Sequence, residues 1–222
     1  MHGFMGSATS AINTNLVPAY LQAADTNVIV LDWSDGALWG PRAAAAGEAG
    51  GRFLNWLIST TGLSPANVHL VGYSVGGHGA GIMGRTVNGN VGYVTACDPA
   101  DRWDADNLFR STDGTYTEVI HTNAGDIGYS RPLGDVDFYP NNGRFMPGCI
   151  TNVCDHARSY YYLAESIVSN GFTGRSCADW AAAITDRCTG TATLRMGGLL
   201  PKTGATGIYH LRTNRNPPFS QG

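Results

Sequence analysis

A glycine-rich segment that joins an apolar run to a helical stretch, VHLVGYSVGGHGAG at positions 68–81, constrains the fold more than any other part of the chain. Gly72 and Gly76 flank Ser74 in the spacing G-x-S-x-G, which requires a sharp turn from a strand into a helix. Glycine suits both positions because neighbouring backbones approach too closely there for a Cβ atom. The alternative is a glycine-rich turn with an incidental serine. The flanking strand and helix patterns favour a turn that presents the Ser74 hydroxyl at a helix start.

The chain alternates strand-like and helix-like stretches. Three short apolar runs are typical of buried parallel strands: NVIVLDW (27–33), NVHLVGY (67–73) and VGYVTACD (91–98). Helical stretches lie between them at 41–62, with Pro41 at the first helical position, and at 74–87. This order predicts an α/β fold with a mostly parallel central sheet.

Size and charge exclude several classes of protein. The 222 residues suffice for one domain with a real core, and 43% of them are hydrophobic. A net charge of −3 and a single lysine, Lys202, provide no basic field for nucleic acid. No apolar run approaches the roughly 18 residues of a membrane span, and no signal peptide is visible.

Five cysteines leave one unpaired if the others form bridges. The local spacings favour Cys149 with Cys154 and Cys177 with Cys188, while the other pairings stay open. A zinc site of Cys149, Cys154, His156 and a distant fourth ligand is the alternative, although the paired C-x-x-C spacing typical of structural zinc is missing. Two bridges would indicate an oxidising compartment.

A serine nucleophile needs a base and an acid that orients the base. In α/β-hydrolase order both follow the serine, and the acid comes first. Asp98 ends the third predicted strand, where Pro99 stops the strand and leaves the carboxylate at the same sheet edge as Ser74. A strand-terminal turn aspartate without a catalytic role is the alternative.

Three histidines follow the acid. His121 and His210 lie inside apolar stretches and are predicted to be packed strand residues. His156 instead follows the cysteine pair and precedes a helical pattern that begins at Ala157, a place where a base can be held yet remain exposed. His78, which precedes the acid in the chain, is predicted to be structural.

The residues resemble the pancreatic lipase family, particularly its insect lipases and phospholipases A1. The matching blocks run in order through the chain: HGF, VIVLDW, HLVGYSVGGHGAG, DPA, VIHTNAG, DVDFYPNNG, PGC, CDHARS, YLAESI and NPPFSQG. The resemblance implies an α/β-hydrolase fold and a triad of Ser74, Asp98 and His156. It also implies an oxyanion hole formed by the backbone N–H groups of Phe4 and Val75.

The chain departs from the family pattern at several positions. Tyr73 and Val75 stand where His and Leu are usual, and Cys97, expected as a buried free thiol, stands where Leu is common. A calcium loop known in some relatives is only partly matched, because Asp113 keeps one carboxylate while Arg110 replaces another. We therefore expect no metal and no cofactor.

The resemblance also bears on domain organisation. Family members enter HGF from upstream strands, so we expect residues 1–222 to be a single lipase-like catalytic domain that lacks those N-terminal strands and leaves a sheet edge unpaired. No C-terminal lipid-binding β-sandwich domain is expected.

Substrate class depends on the loop between Cys149 and Cys154, which is a long lid in family lipases. Here it is only Ile150, Thr151, Asn152 and Val153, too short for a stable helix of its own. We expect a secreted serine carboxylester hydrolase that releases fatty acid from glycerolipids at a lipid–water interface, resembling a phospholipase A1 or galactolipase. The alternatives are a triacylglycerol lipase and a non-catalytic, yolk-protein-like lipid-binding member.

Overall fold

The computed structural model describes residues 1–40, 42–101, 103–169 and 171–222. A central sheet of seven strands runs through the described residues. The strands are β1 (His69–Tyr73), β2 (Tyr93–Cys97), β3 (Thr117–Ile120), β4 (Val136–Pro140), β5 (Thr173–Cys177), β6 (Thr193–Arg195) and β7 (Gly207–Leu211). Their order across the sheet is β1-β2-β3-β4-β7-β5-β6. Strands β1, β2, β3, β4 and β7 are parallel, whereas β5 runs antiparallel to β7 and β6. The prediction of a mostly parallel sheet is confirmed.

Helices cover both faces of this sheet. They are α1 (Ala11–Ala23), α2 (Arg42–Thr61), α3 (Val75–Thr86), α4 (Asn152–Ser169) and the short α5 (Trp180–Ile184). Single 3₁₀ turns occur at Ser34–Gly36, Pro65–Asn67, Ala105–Asn107, Ser111–Asp113 and Asn141–Gly143. Pro41, predicted to open the second of these helices, lies outside the described residues.

The side-chain alternation of β2 assigns the helices to their faces, because successive strand residues point to opposite sides. Tyr93 and Cys97 belong to the apolar core beneath α1 and α4. Val94 and Ala96 belong to the core beneath α2 and α3. The chain therefore forms three layers, helix, sheet and helix, as a parallel sheet with crossover helices requires.

The predicted strand at 27–33 is wrong, since the structure assigns no strand to these residues. The outer edge of β1 meets Met1 instead: the Met1 amino group donates to the Val71 carbonyl at 2.7 Å, and the Tyr73 amide donates to the Met1 carbonyl at 3.2 Å. Ile29 in the misassigned run is 60% exposed. Met1 therefore occupies part of the outer edge of β1, which a further strand would need for pairing.

A buried ion pair lies among the strands, away from the strand ends that carry the site. Lys202 Nζ lies 2.6 Å from Glu118 Oε2, and the Glu118 side chain is 0% exposed. Glu118 also accepts hydrogen bonds from the Tyr116 hydroxyl at 2.6 Å and from the Gly197 amide at 2.5 Å. The carboxylate thus fastens the loop that carries Lys202 to the middle of the sheet.

Replacing Glu118 with alanine should lower the free energy of unfolding by about 3–5 kcal/mol, because it leaves the Lys202 charge without its buried partner. Denaturation under non-reducing conditions measures the loss. The control is Glu48→Ala, which breaks the Glu48–Arg52 pair whose side chains are 57% and 66% exposed and should cost no more than about 0.5 kcal/mol. Equal losses in the two variants would contradict the prediction.

Candidate active site

The turn between β1 and α3 has the geometry that the G-x-S-x-G spacing predicts. Ser74 has φ 57° and ψ −128°, a strained conformation for a residue with a side chain. A Cβ atom on Gly72 would lie 1.9 Å from the Gly76 carbonyl oxygen, and one on Gly76 would lie 2.3 Å from the His2 carbonyl oxygen. The strand-to-helix turn is therefore possible only with glycine at both positions. Ser74 precedes the first residue of α3, at the positive end of that helix.

Asp98 lies beside this turn because β1 and β2 are parallel and in register. Tyr73 pairs with Cys97, and the Ser74 amide donates to the Cys97 carbonyl at 3.0 Å. Asp98 follows directly, with φ 43° and no exposed surface. One carboxylate oxygen accepts backbone N–H bonds from Thr122 at 2.7 Å and from residue 123 at 3.0 Å. The adjacent strand ends thus bring the predicted nucleophile and the predicted acid together.

His156 meets the second carboxylate oxygen of Asp98. Its Nδ1 lies 2.6 Å from Asp98 Oδ2, so Nδ1–H donates to the carboxylate and Nε2 is left unprotonated in the neutral ring. Nε2 is buried and has no hydrogen-bond partner among the residues that the structure describes. The Tyr73 ring packs against the imidazole at a centroid distance of 4.5 Å. The lone pair on His156 Nε2 is therefore free, and the imidazole ring lies against Tyr73, the residue before Ser74.

Two expectations about His156 are corrected. The helix α4 begins at Asn152, so His156 lies inside its first turns and not before it. The residue is only 5% exposed, whereas the sequence indicated an exposed base. The helix begins earlier because Thr151 precedes it and its hydroxyl accepts the Cys154 amide at 3.2 Å. The ring is buried because Tyr73 packs against it.

The other predicted histidine assignments agree with the structure in burial, but His121 lies one residue beyond the end of β3 and not within a strand. His121 is 0% exposed and its Nε2 lies 2.7 Å from Asp137 Oδ1. His78 is also fully buried, its Nε2 lies 2.8 Å from the Ala100 carbonyl oxygen, and burial lowers its pKa to about 4. His210 lies within β7, and burial lowers its pKa as well. None of the three side chains is hydrogen-bonded to Asp98 in the described structure.

The residues expected to form the oxyanion hole are Phe4 and Val75. Val75 is the first residue of α3. Phe4 follows Gly3. Gly3 lies so close to Ser74 that a Cβ on Gly3 would be 2.9 Å from Ser74 Cβ. The preceding His2 holds this segment, since its carbonyl accepts the Trp33 indole N–H at 2.9 Å. Sequence reasoning gave His2 no role, although it opens the HGF block.

The cysteine pairings favoured by spacing are confirmed. Cys149 is bonded to Cys154 and Cys177 to Cys188, so the zinc alternative is wrong. Cys97 is free and buried, as predicted, and burial raises the pKa of its thiol.

The short loop closed by the first of these disulfides is exposed. Ile150 is 96% and Val153 is 68% exposed, and Thr151 is exposed as well. Asn152 and Val153 form the start of α4, so half of the predicted lid belongs to the helix that carries His156.

The partial calcium loop contains an ion pair. Asp113 is 1% exposed, and both of its oxygens accept N–H bonds from Arg85 at 2.8 and 2.9 Å. No cluster of three or more His, Cys, Asp or Glu residues in the described ranges could hold a metal ion. Within the same ranges, no helix has the length and apolar character to cross a bilayer.

The parallel sheet, the glycine-flanked serine turn and the acid at the next strand end define an α/β-hydrolase fold. The lipase family model matches residues 1–219. The chain therefore belongs to the lipase family.

Relatives agree with this assignment. The chain is 34% identical to the pancreatic triacylglycerol lipase of Oryctolagus cuniculus and 32% identical to that of Homo sapiens, in each case over 85% of this chain and 48% of the relative. It is 34% identical to the pancreatic lipase-related protein 2 of Cavia porcellus over 81% of this chain and 45% of the relative. The chain thus spans about half the length of the curated relatives that it matches.

Replacing Gly72 with alanine should destabilise the protein by about 1–3 kcal/mol or more, because the new Cβ would overlap the α3 backbone. Gly77→Ala is the matched control: its Cβ would lie 3.3 Å from Ala96 Cβ and 3.4 Å from Pro99, a tight contact without the overlap at Gly72. Alanine also favours the helix by about 0.5–1 kcal/mol. Thermal unfolding of both variants checks the prediction. A Gly72→Ala variant as stable as the control would show that the turn does not need glycine there.

Proposed function

We propose that the chain is a serine carboxylester hydrolase that releases fatty acid from glycerolipids, with Ser74 as nucleophile, His156 as base and Asp98 as the acid that orients it. The hydrogen bond from His156 to Asp98 carries the proposal, because it leaves the unprotonated Nε2 free to accept a proton. The strained conformation of Ser74 is a second argument, since strain of this kind is concentrated at functional sites.

The mechanism follows from these positions. His156 Nε2 takes the proton from the Ser74 hydroxyl while Oγ attacks the ester carbonyl, and Asp98 stabilises the imidazolium that forms. The N–H groups of Phe4 and Val75 donate to the oxyanion. The imidazolium then protonates the departing alcohol, and water releases the fatty acid from the acyl-enzyme with His156 again as base.

Ser74→Ala should reduce hydrolysis of a soluble short-chain ester by at least about 10³-fold, because no other group can form the acyl-enzyme. A fluorophosphonate probe should label the parent chain and not the variant, since the activated Ser74 oxygen attacks phosphorus and fluoride leaves. Ser64→Ala, at an exposed loop serine, is the control and should react like the parent. A parent chain that the probe does not label would favour the alternative of a non-catalytic lipid-binding protein.

The short loop supports a phospholipase A1-like or galactolipase-like preference as the finer proposal. The segment between Cys149 and Cys154 holds four residues, and it cannot cover an acyl-binding groove, so a polar headgroup can approach the site. The two disulfides favour secretion, because such bonds persist in oxidising compartments. A triacylglycerol lipase is the second candidate, since the relatives from Oryctolagus cuniculus and Homo sapiens carry that name.

An assay of phosphatidylcholine vesicles against triolein emulsion separates the two candidates. We expect at least about tenfold faster release of fatty acid from phosphatidylcholine, a difference of about 1.4 kcal/mol in the barrier. The Ser74→Ala variant gives the background for both substrates. Faster hydrolysis of triolein would overturn the phospholipase preference and leave the ester-hydrolase proposal standing.

A further inference from the structure

The residue before the nucleophile contacts the base, and this contact is absent from the expected machinery of the site. The Tyr73 and His156 rings have centroids 4.5 Å apart and an interplanar angle of 37°. Tyr160, 6% exposed, packs edge-on against Tyr73 at 5.0 Å and 87°. Tyr73 thus packs against two rings of α4, the imidazole of His156 and the phenol of Tyr160.

The hydrogen bonds of His156 leave one degree of freedom open. Nδ1 is fixed by Asp98, while Nε2 has no partner in the described part of the chain. A single hydrogen bond at one ring nitrogen fixes that atom and leaves the ring plane free to tilt about it. Tilting moves Nε2 on the far side of the ring, which is the atom that must meet the Ser74 hydroxyl.

We propose that Tyr73 is a positioning residue, whose ring face fixes the plane of the His156 imidazole so that Nε2 points at Ser74. This inference rests on the proposed function and adds a residue to it. Because Tyr73 and Ser74 are consecutive, the same strand end places the nucleophile and the surface against which the base lies. The contact is made by the aromatic ring and not by the hydroxyl, so phenylalanine at this position should position His156 as well as tyrosine does.

A purely structural role for Tyr73 makes different predictions. Tyr73 also packs against the large apolar core, so its removal lowers stability in either case. Val71 lies two residues earlier on β1, on the same face, and is likewise partly buried against that core. Val71→Ala therefore measures the effect of losing apolar core contacts on this strand, at a residue that is not packed against the His156 ring.

The experiment compares the parent with Tyr73→Leu, Tyr73→Phe and Val71→Ala on a soluble short-chain ester, with thermal unfolding measured for each. We expect Tyr73→Leu to lower kcat by about 10- to 100-fold, as misplacement of a reacting group does, and to leave KM within about twofold. Tyr73→Phe should keep kcat within about twofold of the parent, and Val71→Ala should lose stability and keep kcat.

Proton NMR gives a readout that does not need activity. Packing close to an aromatic ring shifts the His156 ring-proton signals upfield, and these signals are identified by their absence in His156→Gln. We expect the shift in the parent and in Tyr73→Phe and its loss in Tyr73→Leu. An unshifted signal in the parent would overturn the inference.

The remaining outcomes distinguish the two proposals. If hydrolysis depends on Ser74 but kcat is unchanged in Tyr73→Leu, the positioning role is overturned and the proposed function stands. A kcat loss of the same size in Tyr73→Leu and Val71→Ala has the same consequence. A kcat in Tyr73→Phe as low as in Tyr73→Leu also overturns it, because the hydroxyl would then matter. A parent that neither hydrolyses the ester nor reacts with the fluorophosphonate overturns both.

Discussion

The carboxylate of Asp98 joins three segments that are far apart in the chain. One oxygen accepts the amides of residues 122 and 123, at the end of β3, and the other accepts His156 Nδ1–H from α4 at 2.6 Å. A buried carboxylate requires such partners, because an unpaired charge in the interior is strongly unfavourable. A Cβ on Gly128 would lie 2.5 Å from both oxygens, so the surrounding loop closes on them. The position of His156, the proposed base, is therefore set by the folding of β2, β3 and α4 together.

The pairing of β1 with β2 also fixes the position of Ser74 relative to Asp98. Since β1 and β2 are in register up to Tyr73 and Cys97, Ser74 and Asp98 leave the sheet at adjacent points. On the neighbouring strand β3, Glu118 forms a buried ion pair with Lys202. This pair holds the loop that carries Lys202 to the sheet. One pair of strand ends thus carries the proposed nucleophile and acid, while this ion pair lies on the next strand of the sheet.

The parts of the site that the sequence could predict are those set by local geometry. Gly72, Gly76 and Ser74 define the turn through their spacing alone, and Asp98 follows from the strand that precedes it. The disulfides follow from short separations of 5 and 11 residues. The predictions for residues 27–33 and for the exposure of His156 failed because both depend on neighbours distant in sequence. A strand needs a free edge, and the edge of β1 is met by Met1; the exposure of a ring depends on what packs over it.

Tyr73 illustrates the same limit at the scale of one side chain. The sequence marks it only as a departure from the usual residue before the serine, and nothing in its neighbours indicates that its ring reaches α4. In the structure, α4 begins at Asn152, earlier than the helical pattern indicated, and the Cys149–Cys154 bond closes the segment that enters it. A bridge of such short separation removes less chain entropy than a long one, and it fixes the backbone two residues before His156. The disulfide, the Asp98 hydrogen bond and the Tyr73 ring face each restrain a different motion of the same imidazole, namely its backbone, its Nδ1 position and its plane.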